Sequence, residues 1–334
     1  MLTLERIDPQ DGDWDRMDAA ADRVVFQTRE WLSFLACTQR AEPVVAAVLD
    51  RGERVGSFTG LIVRRFGVPI LGSPFPGWTT DYMGFNLAPG VRRRDAAAAL
   101  QKFAFGPLRC VHLELKDRRL RSADLDGLGF EHSPTLTYEV DLGCDEDEMF
   151  GRMSSACRRA IRKADKLGVT VEIATDATFA DEYYTQLQEV FARQALVPTY
   201  DVERVRQLIH WLQPAGRLLL ARALAPDGRP IATALFPAFN GTAYFWGGAS
   251  RRADQIVRPN EMIFWFAMRY WRERGMTTMD LGGAGDYKRK YGVRELRLPW
   301  FRSSRYSILS SMRDIAQTAV LRRQSRRGRR LTPS

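Results

Sequence analysis

The chain has 334 residues, 45% hydrophobic and 27% charged, with a net charge of +10. This composition is typical of a globular protein and long enough for two ordinary domains. No apolar run reaches the roughly 18 residues of a transmembrane helix, and the acidic N-terminus does not resemble a secretory signal. The four cysteines lack the close spacing of a zinc site, so we expect a reduced, cytoplasmic protein without a metal.

The first half of the chain has the pattern of a small α+β module. Residues 44–72 alternate in hydrophobicity and predict three strands, joined by tight turns at Arg51-Gly52 and Phe66-Gly67. Residues 91–106 predict a helix that ends at Gly106, and a further strand follows at 110–115.

Residues 145–168 predict a helix, because they begin with acidic residues and end at a glycine. Arg158 and Arg162 border its apolar face, whereas Lys163 and Lys166 are typical of a solvated face. The apolar face consists of Ala156, Ala160, Ala164 and Leu167.

The second half repeats the order of elements found in the first. Residues 217–250 predict strands with hairpins at Asp227-Gly228 and Asn240-Gly241, and 259–275 predict a helix followed by a strand from 277. The repeat begins about 170 residues after the first module. We therefore predict an α+β protein with domains at 1–144 and 145–305.

The C-terminal stretch, residues 306–334, combines an amphipathic pattern with a basic segment. Ile308, Met312, Ile315 and Ala319 recur at helical spacing, and residues 313–334 carry a net charge of +6. This arrangement suits an anionic membrane surface or RNA, and equally a docked helix followed by a solvated, disordered tail.

Two loops in the second module have the composition of an anion site. Arg251, Arg252 and Arg258 precede a helix that begins near Asn260, where free amides and arginines suit phosphate. The alternative is that Asn260 only caps the helix and the arginines are solvated.

The second of these loops, DLGGAGDYKRKYG at 280–292, follows a predicted strand. Gly282, Gly283 and Gly285 permit close approach of a ligand, and Lys288 lies in the basic segment after them, with Asp286 as a helix cap. The composition suits a phosphate or a polarised carbonyl, and also an exposed turn.

The order RRAIRKADKLGVTVEIA, RPIATALF, YFWGGAS, PNEMIFWFAMRYWRERGMTTMDLGG and DYKRKYG resembles the second half of Fem-type double-GNAT acyltransferases. The segment LGSPFPGWTTDYMGF resembles the degenerate N-terminal domain of the branch associated with polysaccharide biosynthesis. The resemblance implies two tandem GNAT-like domains, each a mixed β-sheet flanked by helices, with a substrate cleft near their junction.

The resemblance also implies roles for particular residues. Lys288 matches the family lysine near the reacting acyl group or its phosphates, framed by Tyr287 and Tyr291, while Arg158 and Arg162 match contacts to a phosphorylated donor or acceptor. Two family features are missing. The glycine-rich pyrophosphate loop of simple GNAT enzymes and the coiled-coil insertion of tRNA-using bridge enzymes are both absent from the sequence.

Acyl transfer to an amine needs a base, oxyanion stabilisation and a proton for the leaving group. Lys288 or the amides of Gly282–Gly285 are candidates for the oxyanion, and positioning alone would contribute ~7–11 kcal/mol in favourable cases. The candidate bases are Asp81, Asp280 and Asp286, and the candidate proton donors are Tyr82, Tyr200 and Tyr287. Cys157 has no histidine near it in sequence and is not expected to act as a nucleophile.

We therefore expect an N-acyltransferase with acyl-CoA or an acyl-carrier protein as co-substrate and no permanently bound cofactor. The expected acceptor is an amine on a sugar nucleotide, a polysaccharide or lipid-linked precursor, or an amino acid. The alternatives are an aminoacyl-tRNA-dependent transferase and a non-catalytic protein that binds nucleic acid or an anionic membrane through its Arg-rich tail. The expected location is cytoplasmic, with peripheral attachment to the inner face of the membrane as an option.

Overall fold

The computed structural model describes residues 1–10, 12–283 and 285–306. Within this part, the chain forms two compact units, one from residues 1–136 with 297–306 and one from 137–296. The functional domain limits of 1–144 and 145–305 stay predictions. The amphipathic helix and basic tail expected after Tyr306 lie outside the described residues.

The first unit contains a mixed sheet with helices beside it. The sheet order is β1-β2-β3-β4-β6-β14, with β5 on β3, and the pairing is antiparallel except between β4 and β6. Its strands are β1 (Leu2–Ile7), β2 (Glu42–Asp50), β3 (Glu53–Arg65), β4 (Val68–Ser73), β5 (Gly84–Leu87), β6 (His112–Leu115), the start of β7 (Glu131–Asp141), and most of β14 (Arg294–Ser304). Its helices are α1 (Trp14–Asp18), α2 (Arg29–Gln39) and α3 (Arg93–Phe105), with 3₁₀ turns at Val25–Gln27 and Ser122–Leu125.

The core of the first unit lies between the sheet and α3. Ala96, Leu100 and Ala104 recur at helical spacing and are fully buried, so the helix lies close to the strands. The helix ends at Gly106, whose amide donates to the carbonyl of Lys102. The predicted helix end at Gly106 is confirmed.

The second unit contains a second mixed sheet of order β7-β13-β11-β10-β9-β8, with β12 paired on β10. Its strands after β7 are β8 (Thr170–Ile173), β9 (Leu218–Leu224), β10 (Pro230–Phe239), β11 (Thr242–Tyr244), β12 (Gly247–Ser250) and β13 (Thr278–Asp280). Its helices are α4 (Glu146–Arg152), α5 (Ser155–Lys166), α6 (Phe179–Ala192), α7 (Val202–Leu212) and α8 (Pro259–Glu273), with 3₁₀ segments at Ala253–Val257 and Asp286–Tyr291.

The two units share one sequence of strand pairings, so the predicted repeat and the α+β class are confirmed. In the first unit β2, β3 and β4 are successive antiparallel neighbours, and β6 then lies parallel to β4 after α3. In the second unit β9, β10 and β11 follow the same pattern, and β13 lies parallel to β11 after α8. The predicted tight turns lie where expected, with positive φ at Arg51, Phe66 and Asn240 and at the glycine that follows each.

The single helix expected over 145–168 is wrong, because this segment forms two helices. Met153 is extended (φ −67°, ψ 151°), and the Ser154 side chain accepts from the Cys157 amide and starts α5. The break turns α5 so that Cys157, Ile161 and Ala164 form its buried face. Leu167, expected on the apolar face, is 42% exposed.

The second sheet opens at the end of β11. Tyr244 pairs with Asp280 on β13, and the Phe245 amide still donates to the Asp280 carbonyl over 2.8 Å. Beyond that point the Trp246 amide donates to Leu235 of β10, whereas the Leu281 amide donates to Tyr138 of β7. The two parallel strands therefore separate at their C-terminal ends, where open α/β sheets commonly bind ligands.

Arg222 holds three segments of the second unit together. Its buried guanidinium on β9 contacts Glu172 of β8 at 2.8 Å, Asp176 at 2.8 Å and Glu182 of α6 at 2.7 Å. The hydrogen bonds from Arg222 hold the pKa of the Asp176 carboxyl well below its ordinary value.

We expect this contact to make the second unit sensitive to acid. A carboxyl whose pKa is depressed by folding contributes stability above its unfolded pKa, and that contribution is lost as pH falls through the folded value. The melting temperature of the wild type should therefore fall below about pH 4 more steeply than that of Asp176→Asn. Asp181→Asn, which removes an exposed pair with Arg206, is the matched control. Parallel pH profiles for all three proteins would contradict the assignment.

Candidate functional site

The glycine-rich stretch after β13 forms one wall of the opening in the sheet. Gly282 has φ +72° and Gly285 has φ +137°, backbone conformations that a side chain would strain. The buried carboxylate of Asp280 accepts from the Thr137 hydroxyl and from the Gly282 amide, the latter over 2.8 Å. Asp280 therefore shapes the turn, and the Gly282 amide, a candidate for the oxyanion, already donates within the protein.

Lys288 lies at the point where the strands separate. It is 6% exposed, and its Nζ donates to the Gly283 carbonyl over 2.6 Å. The same atom is 5.9 Å from the ring centroids of Phe245 and Tyr287. The ammonium is therefore fixed beside the interruption of the strand, in the 3₁₀-helix that the sequence predicted as a short helix.

The two tyrosines expected to frame Lys288 have different positions. Tyr287 is 53% exposed and borders the lysine, whereas Tyr291 is buried and stacks on Phe264 of α8 with centroids 4.5 Å apart. Tyr291 is therefore a packing residue between the 3₁₀-helix and α8. Asp286, expected as a cap and as a candidate base, is exposed, makes no side-chain cap, and lies 3.2 Å from Arg289.

A basic cavity lies between α5, the start of α8 and the 3₁₀-helix. Its volume is about 300 Å³. It is lined by Ala156, Cys157, Arg159, Ala160, Lys163, Arg258, Glu261 and Lys290. Four of these residues are cations and one is an anion, so the cavity is a candidate site for a negatively charged ligand.

The single carboxylate in the cavity is neutralised within the protein. Glu261 lies in the first turn of α8 and accepts from Lys290 Nζ over 2.7 Å. Among the residues that the structure describes, Arg159, Lys163 and Arg258 make no ion pair. Three cationic side chains are therefore left for a ligand.

The start of α8 borders this cavity, and no side chain caps its first turn. Arg258 at the cap position has φ +62°, Pro259 is the first helical residue, and no side chain caps the first turn. The Asn260 side chain instead donates to the Ser250 hydroxyl over 3.1 Å. The alternative in which Asn260 caps this helix is therefore wrong, and an uncapped helix start of this kind suits an anion.

The other predicted arginines lie outside the cavity. Arg251 and Arg252 are exposed, and the Arg252 amide donates to Glu189. Arg158 Nη1 donates to the carbonyls of Gly151 and Met153 at the end of α4.

Arg162 is exposed, with its guanidinium 5.2 Å from the Phe150 ring centroid. The cavity is lined instead by Arg159 and Lys163 of the same helix. Arg159 and Lys163 are four residues apart and therefore share one face of α5.

Cys157 lines the cavity with a buried thiol. Its thiol is buried, 3.9 Å from the Met153 sulfur, and burial raises its pKa to about 11. The thiol is therefore neutral at physiological pH, which agrees with the expectation from sequence.

A tyrosine that no sequence motif marked, Tyr183, lies next to the strand interruption. Tyr183 of α6 is buried, its hydroxyl lies 2.8 Å from that of Tyr200, and burial raises its pKa well above the ordinary value. A Cβ on Gly247 would come within 2.5 Å of the Tyr183 oxygen. The Tyr183 hydroxyl therefore leaves no room for a side chain at position 247. This contact joins distant segments of the chain, so no local sequence pattern encodes it.

Two of the predicted catalytic residues belong to the first unit. Tyr82 is fully buried, accepts from Arg118 Nη1 over 3.0 Å and packs edge-on against Phe26. Asp81 is half-buried in the same segment. Tyr82 thus has a clear packing role, and the catalytic roles of Asp81 and Tyr82 stay predictions.

The comparisons with known proteins agree with this geometry. Residues 151–290 match the model of the acetyltransferase (GNAT) domain family, a range that includes every residue lining the cavity. No curated protein matches the sequence.

Solved structures match over almost the whole chain. FemX is 15% identical with a TM-score of 0.71, covering 89% of this chain and 96% of that one. A tandem GNAT protein from the clavulanic acid biosynthesis pathway is 14% identical, with a TM-score of 0.57 and coverage of 92% and 99%. L-PGS from Bacillus licheniformis is 11% identical, with a TM-score of 0.53 and coverage of 88% and 96%.

The chain thus contains a domain that matches the acetyltransferase (GNAT) family, in residues 151–290. Its two units have the tandem GNAT architecture of FemX, which confirms the resemblance to Fem-type proteins seen in the sequence. In the part of the chain that the structure describes, no helix is long and apolar enough to cross a membrane. Within the same residues, no cluster of three or more histidine, cysteine and acidic side chains is placed to hold a metal ion.

Proposed function

We propose that the protein transfers an acyl group from an acyl-CoA thioester to an amine. The observation that carries this proposal is the basic cavity at the start of α8, in the domain that matches the acetyltransferase family. Arg159, Lys163 and Arg258 suit the pyrophosphate of a CoA donor, since charge-assisted hydrogen bonds to phosphate are about twice as strong as neutral ones. An acyl-carrier thioester, which presents a single phosphodiester, is the related alternative.

The cavity compensates for the glycine-rich pyrophosphate loop that the sequence lacks. In that loop, backbone amides would surround the phosphate. Here the uncapped first turn of α8 supplies amides, and the side chains of α5 and Arg258 supply charge. The missing motif therefore does not argue against a phosphorylated donor.

The reaction forms one bond and breaks one. The amine nitrogen attacks the thioester carbon, a tetrahedral oxyanion forms, the C–S bond breaks, and the proton lost by the amine ends on the thiol. Lys288 is the group we assign to the oxyanion, because its ammonium is buried and oriented by the Gly283 carbonyl beside the strand interruption. Tyr287 borders the same position and is exposed to substrate.

The acceptor that fits the sequence resemblance is an amine on a sugar nucleotide, a polysaccharide or lipid-linked precursor, or an amino acid. The second candidate function uses an aminoacyl-tRNA as donor. The +10 net charge and the three cations of the cavity favour it, since the phosphates of RNA bind the same groups. The acetyltransferase domain argues against the non-catalytic alternative.

Donor binding should depend on the cations of the cavity and not on the other lysine of the same helix. We expect Arg159→Ala and Lys163→Ala each to weaken acetyl-CoA binding about tenfold, since a charge-assisted contact contributes ~1.5–3 kcal/mol. Lys166→Ala, an exposed change on α5 outside the cavity, should leave the Kd unchanged. Isothermal titration with acetyl-CoA, a long-chain acyl-CoA and total tRNA measures this directly. Binding of tRNA alone would transfer the assignment to the aminoacyl donor, and equal Kd values for all variants would refute the cavity as the donor site.

Lys288 should act on the rate and not on donor affinity. Lys288→Met keeps an unbranched side chain over Phe245 and removes the charge, so kcat should fall ~10²–10³-fold with little change in KM for the donor. Release of free CoA in the presence of an amine panel, followed by chromatography, gives both constants. A melting temperature equal to that of the wild type is the control for folding. An unchanged kcat in a folded variant would remove Lys288 from the mechanism.

A further inference from the structure

The turn between β3 and β4 contains an aromatic residue where the backbone disfavours one. Phe66 and Gly67 form a two-residue hairpin turn with φ +52° and +80°. Such turns favour Asn or Gly at the first position, because bulky side chains are strained at positive φ. The chain follows this preference at Asn240-Gly241, where φ is 48° and 80°.

No packing contact of the Phe66 side chain offsets this backbone strain, because the side chain is fully exposed. Its exposed fraction is 104%, the highest among the large hydrophobic residues that the structure describes, and Val68 beside it is 38% exposed. Arg64 and Arg65, which precede the turn, are exposed as well. The tip is therefore an apolar projection above a pair of cations, and folding stability does not explain it.

Neighbouring strands place more cations at the same end of this sheet. Pro69 lies opposite Arg64 across the hairpin, and its carbonyl accepts from the Val111 amide. The Val111 carbonyl in turn accepts from the Arg305 amide. This ladder brings Arg305 and Tyr306 level with the base of the hairpin, and both are exposed.

A further exposed cation lies at this end of the sheet. Arg109, two residues before Val111, is also exposed. Glu42 is the carboxylate near Arg64, and it is paired with Arg6 at 2.7 Å. Arg64, Arg65 and Arg109 make no ion pair among the described residues, whereas Arg305 Nη1 donates to the Phe105 carbonyl over 3.2 Å. The first three cations are therefore left for an external anion.

We propose that this end of the first unit, the hairpin Arg64–Val68 with Arg109, Arg305 and Tyr306, docks on an anionic membrane surface. Phe66 enters the boundary between headgroups and acyl chains, where an apolar side chain leaves water. The arginines at the base of the hairpin contact the anionic headgroups. The surface belongs to the first unit, shares no residue with the lining of the basic cavity and does not depend on the nature of the acyl donor.

The apolar tip favours a lipid surface over a nucleic acid. An aromatic ring that stacks on a base commonly lies on a groove lined by the fold. Phe66 projects wholly into solvent, and its exposed neighbour Val68 is aliphatic and offers no stacking face. An apolar tip surrounded by arginines matches the order of acyl chains and headgroups across a bilayer interface.

The test is sedimentation of the full chain with vesicles of phosphatidylcholine, with and without phosphatidylglycerol. Phe66→Asn is the key variant, because Asn suits the turn and should leave the melting temperature unchanged or higher. We expect it to lower the partition coefficient on anionic vesicles about tenfold or more. Arg64→Gln and Arg65→Gln should each lower it about fivefold. The matched control is Arg51→Asn, which removes a charge from the same kind of turn at the other end of β3 and should have no effect.

Three results would overturn the proposal. The first is that Phe66→Asn binds anionic vesicles as well as the wild type does. Any lipid binding would then belong to other parts of the chain. The second is that Arg51→Asn loses as much vesicle binding as Arg64→Gln does. Vesicle binding would then depend on net charge alone. A loss of total tRNA binding in Arg64→Gln without a loss of vesicle binding would assign the surface to nucleic acid.

Discussion

The separation of β11 and β13 after Tyr244 and Asp280 determines where the candidate site lies. Up to that pair the strands are parallel neighbours, and beyond it Trp246 pairs with Leu235 while Leu281 pairs with Tyr138. Beyond that pair, the backbone N–H and C=O groups of the two strands no longer pair with each other. Such groups need other hydrogen-bond partners when they are buried. The glycine turn, the Asp280 contacts and the Lys288 ammonium all lie at this opening.

Charge is distributed around the opening by two different means. Some of the positive groups stabilise the fold. Arg158 donates to a carbonyl at the end of α4, and Lys290 forms an ion pair with Glu261. Arg159, Lys163 and Arg258 line the cavity without ion pairs in the described part of the chain. The two groups have different roles. A cation that already donates to a carbonyl or a carboxylate within the protein contributes to the fold, whereas cations without such partners around an uncapped helix start attract an anion.

The sequence predicted those features that depend on local chemistry. The tight turns, the helix end at Gly106, the repeated strand order and the 3₁₀-helix with Lys288 all follow from glycines and hydrophobic periodicity. The buried face of α5 was assigned wrongly, because Cys157 and Ile161, and not Ala156 and Ala160, are buried with Ala164. The Tyr183–Gly247 contact and the Lys290–Glu261 pair join segments far apart in the chain, and composition alone cannot place such partners together.

A crystal structure of the full chain with CoA or a non-hydrolysable acyl-CoA would show directly whether the basic cavity holds the donor. We expect the pyrophosphate at the first turn of α8, within hydrogen-bond reach of Arg159, Lys163 or Arg258, and the thioester carbonyl near Lys288. Pyrophosphate bound elsewhere in the second unit, with the basic cavity empty, would contradict the central claim that this cavity holds the donor.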